Sequence, residues 1–267
     1  MGMTQTATRG LPLRQRLLAE GGRVWVVGHR GAMGHRPENT MASFAHALQL
    51  GADWIELDVH LSQDGVAVVI HDETLDRTTN GHGLVRDHSL AALKHLDAGG
   101  WFGPEYVGQR IPTLEEVLDW ANEQNTVVDI EIKNAPLYYP GIEQAVVDAL
   151  RRTAMVEQSI VISFDHRAVG RTRALEDRVA TGVLYACRPA DGGIGLARAV
   201  NADALLPHWA YVTPEDVEAA HQAQLAVAPW ATSDPAILRQ LIQAGVDAIG
   251  TNHPDVLRAL VHPGQPQ

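Results

Sequence analysis

Seven residues of this 267-residue chain carry chemistry by type and place: His29, Arg30, Glu56, Asp58, His71, Glu131 and Lys133. Each stands in, at the end of, or just past a short apolar run. Side chains alternate along a strand, so in the run at 54–58 Trp54, Glu56 and Asp58 share one face while Ile55 and Leu57 share the other. Two acids on one face of an apolar strand are costly to bury unless something cationic sits between them. Glu131 ends another run. Three such oxygen donors suit a hard divalent cation, Mg²⁺ or Ca²⁺, and ligand type alone does not separate the two. No His or Cys cluster has the spacing of a closed zinc site. An imidazole titrates near neutrality, so a pair of them can take a proton from a nucleophile and give one to a leaving oxygen. Among thirteen histidines, position singles out His29 and His71, each directly after a strand-like run. His35, His60, His82, His88 and His166 read as packing or capping residues. Arg30 offers a planar fork to phosphate and Lys133 a point charge. Each also has an acidic partner within reach: Glu38 or Asp58 for Arg30, Asp129 or Glu131 for Lys133.

Positioning these groups calls for strands whose ends converge. Strand-like runs lie at 24–28, 54–58, 127–131, 160–163, 180–184, 203–206, 225–230 and 247–250. Helical patterns lie between them, at 40–50, 113–124, 141–153, 166–176, 192–200, 214–223 and 234–244. Pro214 and Pro235 occupy first-turn positions behind a capping Thr and Asp. Eight parallel-strand candidates alternating with helices fit a closed (β/α)8 TIM barrel of the α/β class. An open doubly wound sheet is the alternative, and it accounts less well for site residues drawn from several strand ends. Residues 59–110 break the alternation and contain no ten-residue amphipathic helix. A loop of that length is expected to form a small insertion subdomain between barrel strands 2 and 3. The run at 66–70 lies inside it and ends in His71-Asp72, so it must fold back over the barrel mouth.

The motifs HRG at 29–31, PENT at 37–40, ELD at 56–58, HD at 71–72, RTTNGHG at 77–83, IPTLEEVL at 111–118 and EIK at 131–133 occur in this order. With them the chain resembles the glycerophosphodiester phosphodiesterase family from residue 24 to about 255. The resemblance implies a barrel over 23–258 with the insertion at about 59–110, a tail or short helix at 1–22 and a loose tail at 259–267. It implies metal-dependent hydrolysis of a small glycerophosphodiester to glycerol 3-phosphate and an alcohol. His29 and His71 would be the catalytic pair, Glu56, Asp58 and Glu131 the ligands of Mg²⁺ or Ca²⁺, and Arg30 and Lys133 the phosphate clamp. Glu38 is expected to reach the metal shell or hold a histidine, and Asn39 or Thr40 to cap the first barrel helix. Asp72 is expected to orient a histidine or cap a turn, and Phe164 and Trp230 to wall the substrate or join the core. Which histidine is acid and which base stays open, as does the alcohol group. A lysophospholipase D-type or other phosphodiesterase on the same barrel is the nearest alternative, and a non-catalytic metal- or ligand-binding barrel the more distant one. Two positions depart from the family's habit: Trp230 is followed by Ala231 rather than Thr, and Thr251 by Asn252 rather than Asp.

Composition narrows the partners. A net charge of −11 and a pI near 5.6 argue against a nucleic-acid backbone binder. Cys187 is the only cysteine, so no internal disulfide forms. No apolar run reaches a membrane span's length, and residues 1–22 lack a signal peptide's apolar core. A cytoplasmic enzyme without stable membrane insertion is the expectation, with a homo-oligomer left open.

Overall fold

The two hydrophobic periods resolve, in a computed structural model that describes residues 11–18 and 23–261, into alternating strands and helices. The barrel strands are β1 (Trp25–Gly28), β2 (Trp54–Leu61), β4 (Val127–Ile132), β5 (Ser159–Ser163), β6 (Ala180–Tyr185), β7 (Ala204–Pro207), β8 (Ala226–Val227) and β9 (Ala248–Thr251). They run parallel in the order β8-β7-β6-β5-β4-β2-β1-β9. Across the remaining seam Asp247 N–H donates to Val227 O at 2.9 Å and Gly250 N–H to Pro229 O at 3.0 Å, so the barrel is nearly closed. The helices outside it are α1 (Met41–Gln49), α3 (Leu114–Gln124), α4 (Ile142–Arg152), α5 (His166–Leu175), α6 (Ile194–Val200), α7 (Pro214–Gln222), α8 (Pro235–Ala244) and α9 (Pro254–Val261).

Alternation along each strand sorts side chains between two cores. Ile55, Leu57, Val128 and Ile130 face outward onto the helices. Trp25, Val27, Trp54, Val127, Ile160, Ile162, Leu184 and Leu206 fill the bore. Leu13 and Leu17 join this inner core at the strands' N-terminal end, near the stacked rings of Trp25 and Trp54. Capping sets where the helices begin. Thr113 and Glu116 form a reciprocal capping box on α3, and Thr213 and Asp234 cap α7 and α8 ahead of their prolines.

Between β2 and β4 lies the insertion. β3 (Ala67–Val69) pairs antiparallel with the far end of β2, which runs to Leu61 rather than stopping at 58. α2 (Leu90–His95) follows. Val68, Ile70, Leu75, Val85, Leu93, Ala98 and Ile111 make a third, separate core. The glycine-rich stretch beyond α2 is gathered by the Asp97 carboxylate, which accepts from the amides of Gly99, Gly100 and Gly108.

Two elements differ from the sequence reading. The run at 225–230 yields only the two-residue β8, because Pro229 removes an amide donor. α9 continues past the expected boundary at 258 to Val261. The remainder of the expected C-terminal tail, and residues 1–10 and 19–22 of the N-terminal one, lie outside the described residues.

Candidate active site

β1 delivers His29 and Arg30 to the barrel mouth, and the turn that follows bends sharply. Arg30 takes a left-handed conformation at φ 50° and Asn39 another at φ 57°. Such conformations are costly for residues with a side chain and persist where the surroundings hold them. Here the Arg30 N–H donates to Glu56 Oε2 at 2.7 Å, and its carbonyl accepts from Asn39 N and Ser43 Oγ. Gly31, at φ 82°, has Ser43 packed where a Cβ would go, so only glycine fits the bend.

β2 points Trp54, Glu56, Asp58 and His60 inward, and β4 points Val127, Asp129, Glu131 and Lys133 the same way. Glu56, Asp58 and Glu131 can each offer one oxygen within 4.8 Å of the others. Asp58 is 1% exposed and Glu56 6%, so these charges are not dispersed by water. Burial, then the charges of Asp58 and Asp129, push Glu56 well above the usual carboxylate range. Burial pushes Glu131 up to about 7 against the pull of Lys133. Burial would raise Asp58 too, but Arg30 and Lys133 outweigh it and hold it far down. Asp129, below them, is raised by burial and by Glu131, and among the described residues its Oδ1 has no hydrogen-bond partner. Three convergent carboxylates, two of them raised by burial and by neighbouring negative charge, fit a divalent cation with oxygen ligands.

The cations interleave with these acids. Arg30 Nη1 lies 2.8 Å from Glu38 Oε1, and Arg30 Nε lies 3.3 Å from Asp58 Oδ2, so both anticipated partners are engaged. Lys133 Nζ lies 2.9 Å from Glu131 Oε1, 3.6 Å from Asp58 Oδ1 and 3.1 Å from His71 Nε2. Asn39 donates to Asp58 Oδ2 at 2.8 Å, and Thr40 is the residue that caps α1.

The insertion brings His71 in above Lys133. Its Nδ1 lies 2.7 Å from Asp72 Oδ1. Arg77 bonds both Asp72 and Glu38, and it holds Asp72 down to about 2. Glu38 therefore grips two guanidiniums rather than a histidine. His29 sits opposite, with Nδ1 2.7 Å from Asn252 Oδ1. Burial, reinforced by Arg30, lowers His29 to about 4. His71 is lowered by burial, with Lys133 and Arg30 acting the same way against Asp58.

On the far side the mouth is apolar. A cavity runs from His29, Glu56 and Glu131 to Ile162, Leu184, Leu206 and Trp230. Trp230 is anchored through Nε1 to Leu206 O at 2.9 Å, and Phe164 packs edge-to-face on it at 5.3 Å while remaining 43% exposed.

Three residues at this site escaped the sequence reading. His60, the next inward position after Asp58, accepts from the Tyr139 hydroxyl and donates to His71 O, both at 2.9 Å. The period-two pattern of β2 was the signal for it. Arg77 lies inside a quoted motif but carries no spacing signal. Asn252 was noted only as a departure.

Comparison with known proteins places the geometry in context. The model of the glycerophosphoryl diester phosphodiesterase family matches residues 29–256. A glycerophosphodiester phosphodiesterase of Caldanaerobacter subterraneus is 41% identical over 239 residues, 90% of this chain and 98% of that protein. A second, from Bacillus subtilis, is 34% identical, covering 88% of this chain and 85% of its own. Among solved structures, an Oleispira antarctica phosphodiesterase in complex with the product sn-glycerol-3-phosphate superposes with a TM-score of 0.81 at 30% identity, covering 90% of this chain and 97% of that one. The structure of a putative glycerophosphoryl diester phosphodiesterase from Silicibacter pomeroyi reaches a TM-score of 0.86 at 28% identity, over 94% of this chain and 97% of that one.

Proposed function

The chain belongs to the glycerophosphoryl diester phosphodiesterase family and is a phosphoric diester hydrolase, and from that premise we propose how its residues cut a glycerophosphodiester into glycerol 3-phosphate and an alcohol. The observation that carries the proposal is the meeting of three carboxylates, two histidines and two cations at one barrel mouth, beside an apolar cavity. Glu56, Asp58 and Glu131 would hold Mg²⁺ or Ca²⁺, which when bound supplies positive charge to the phosphoryl oxygens. Arg30 and Lys133 add fixed positive charge at the same place and orient the phosphate. One histidine takes the proton of the glycerol 2-hydroxyl as its oxygen attacks phosphorus. The other gives a proton to the departing alcohol oxygen. Water then opens the cyclic phosphate with the two roles reversed. Phe164, Trp230 and the apolar wall exclude water from one side of the substrate. That wall also favours a second reading, in which a lysophospholipid is a substrate of the same site.

The test is release of glycerol 3-phosphate from glycerophosphocholine, glycerophosphoethanolamine and bis-glycerophosphate with Mg²⁺, Ca²⁺ or EDTA. Release is expected with a metal and not with EDTA, and His29→Ala should lower it by about 10²–10⁴-fold. No release from any diester under any metal would sink the reading. A diester of 2-deoxyglycerol should resist cleavage, and normal cleavage would replace the cyclic route by direct water attack. Choline release from lysophosphatidylcholine decides the second reading.

A further inference from the structure

Away from the acids of the mouth, three histidines gather where the first and last units of the barrel meet. His35 lies in the turn between β1 and α1, His46 lies on α1, and His253 stands just ahead of α9, with Asp255 in the first turn of that helix. β1 and β9 are adjacent parallel strands, so His35 and Asp255 touch although 220 positions separate them in the chain. His35 is the middle ring. Its centre lies 4.9 Å from that of His253 and 5.7 Å from that of His46, edge-on to both. The His253 ring fills the space that a Cβ on Gly34 would need, so the glycine ahead of His35 lets it in. Two imidazoles on one tetrahedral Zn²⁺, each nitrogen about 2.0–2.1 Å from the ion, have ring centres about 5 Å apart. The two observed spacings lie at that value and a little above it.

Each ring also keeps a nitrogen for a ligand. Asp255 Oδ1 lies 3.1 Å from His35 Nε2. A carboxylate accepts, so Nε2 carries the hydrogen and Nδ1 of the neutral ring is bare. A carboxylate on the far nitrogen is the recurring support of a metal-bound imidazole. His46 Nδ1 lies 3.1 Å from Gln49 Oε1, again an acceptor, which leaves its Nε2 bare. His253 Nδ1 is buried and, among the described residues, has no hydrogen-bond partner. A buried polar atom left unpaired is costly, and a ligand in the vacant place removes the cost.

We propose that His35, His46 and His253 form a second metal site, for a borderline transition cation of the Zn²⁺ class, with Asp255 orienting His35 and water in the fourth position. Among the described residues only Glu56, Asp58 and Glu131 have ligand atoms that already meet within 4.8 Å, so the histidine set closes as the ion arrives. His46 is the ring that turns, because its bond to Gln49 lies at the surface. The two sites differ in chemistry: imidazoles suit Zn²⁺, Ni²⁺ and Cu²⁺, whereas the oxygens of the mouth suit Mg²⁺ and Ca²⁺. An ion held here clasps the β1–α1 turn and α1 to α9, and it stabilises the folded chain by mass action. The diester chemistry does not use it, so the proposal stands apart from the phosphodiesterase reading.

The test uses the full-length chain without an affinity tag, both unaltered in excess Mg²⁺ and as the Glu56→Gln/Asp58→Asn double variant. Titration calorimetry should find one equivalent of Zn²⁺ bound in each. Asp255→Asn should weaken that binding by about 10–100-fold, and His35→Gln, His46→Gln and His253→Gln should each weaken it more. His82→Gln, which alters an exposed histidine paired with Asp76, should change nothing. Zn²⁺ should raise the Tm of the double variant but not of that variant carrying His253→Gln. Co²⁺ added to the unaltered chain in excess Mg²⁺ should give the strong visible absorption of a tetrahedral site, a readout that needs no histidine variant to fold. The proposal is overturned by the absence of a Zn²⁺ equivalent, by one that is lost in the double variant and kept in the histidine variants, or by only the weak absorption of octahedral Co²⁺.

Discussion

Glu38 shows how much a single side chain can organise. It is almost fully buried, and it accepts from Arg30 and, through both of its oxygens, from Arg77. Burial opposes its charge, but the bonds from Arg77 and Arg30 outweigh burial and hold its carboxyl below the ordinary value of 4.5. A depressed carboxyl contributes stability above its unfolded pKa and loses it as pH falls through the folded one. Glu38→Gln should therefore cost about 1.5–3 kcal/mol near pH 7, and the gap from the parent chain should close in acid. Urea unfolding of both chains across that range checks it, and a gap that does not depend on pH would refute it. At this scale the chemistry-bearing residues were legible in the sequence, because residue type and strand-end position point to them. So were some near partners, Glu38 for Arg30 and Glu131 for Lys133, but the distant ones were not. The pair His29–Asn252 spans 223 positions and Arg77–Glu38 spans 39, and no periodicity links residues so far apart.

Among the elements, strands that are buried on both faces and helices with capping residues announced themselves, and their limits fall within a few residues of the reading. α9 did not, because it starts directly behind the last strand and its pattern is short. The insertion was legible as a break in the alternation. Its internal packing was not, because its core is assembled from single residues of turns, the three-residue β3 and the six-residue α2. That core is what sets His71 over Lys133. Leu93→Ala removes a fully buried side chain from it and should cost about 2–5 kcal/mol. The expected signature is a drop of at least about tenfold in kcat, while the stabilisation by divalent cation persists because Glu56, Asp58 and Glu131 belong to the barrel. Loss of both together would show that the insertion also shapes the cation site.

At the scale of the whole molecule, the mouth is divided. β1, β2 and β4 supply its acids and most of its basic groups, whereas β5 to β9 supply an apolar wall. Bringing three carboxylates together inside the barrel is a strain that a bound cation would relieve, and under the proposed function cation binding and folding would then be linked. At a hundredfold excess over Kd this amounts to about 2.7 kcal/mol, or a rise in Tm of roughly 5–10 °C for a chain of this size. Thermal unfolding with EDTA, Mg²⁺ and Ca²⁺ should show the rise, and Glu56→Gln with Asp58→Asn should abolish it. No shift with any divalent cation in the unaltered chain would remove the metal from the site. β2 and β4 pair directly along six residue positions, from Trp54 with Val127 to Val59 with Ile132. The chain between them is thus a detour that leaves and rejoins the wall at neighbouring strands. It contributes His71, Asp72 and Arg77, and the barrel contributes the rest. The acidic cluster and His29 are therefore written in a different stretch of the gene from His71. A lineage could lose, replace or elaborate the second stretch without rethreading the first, and a descendant that kept only the barrel would inherit the three carboxylates and one histidine of the pair.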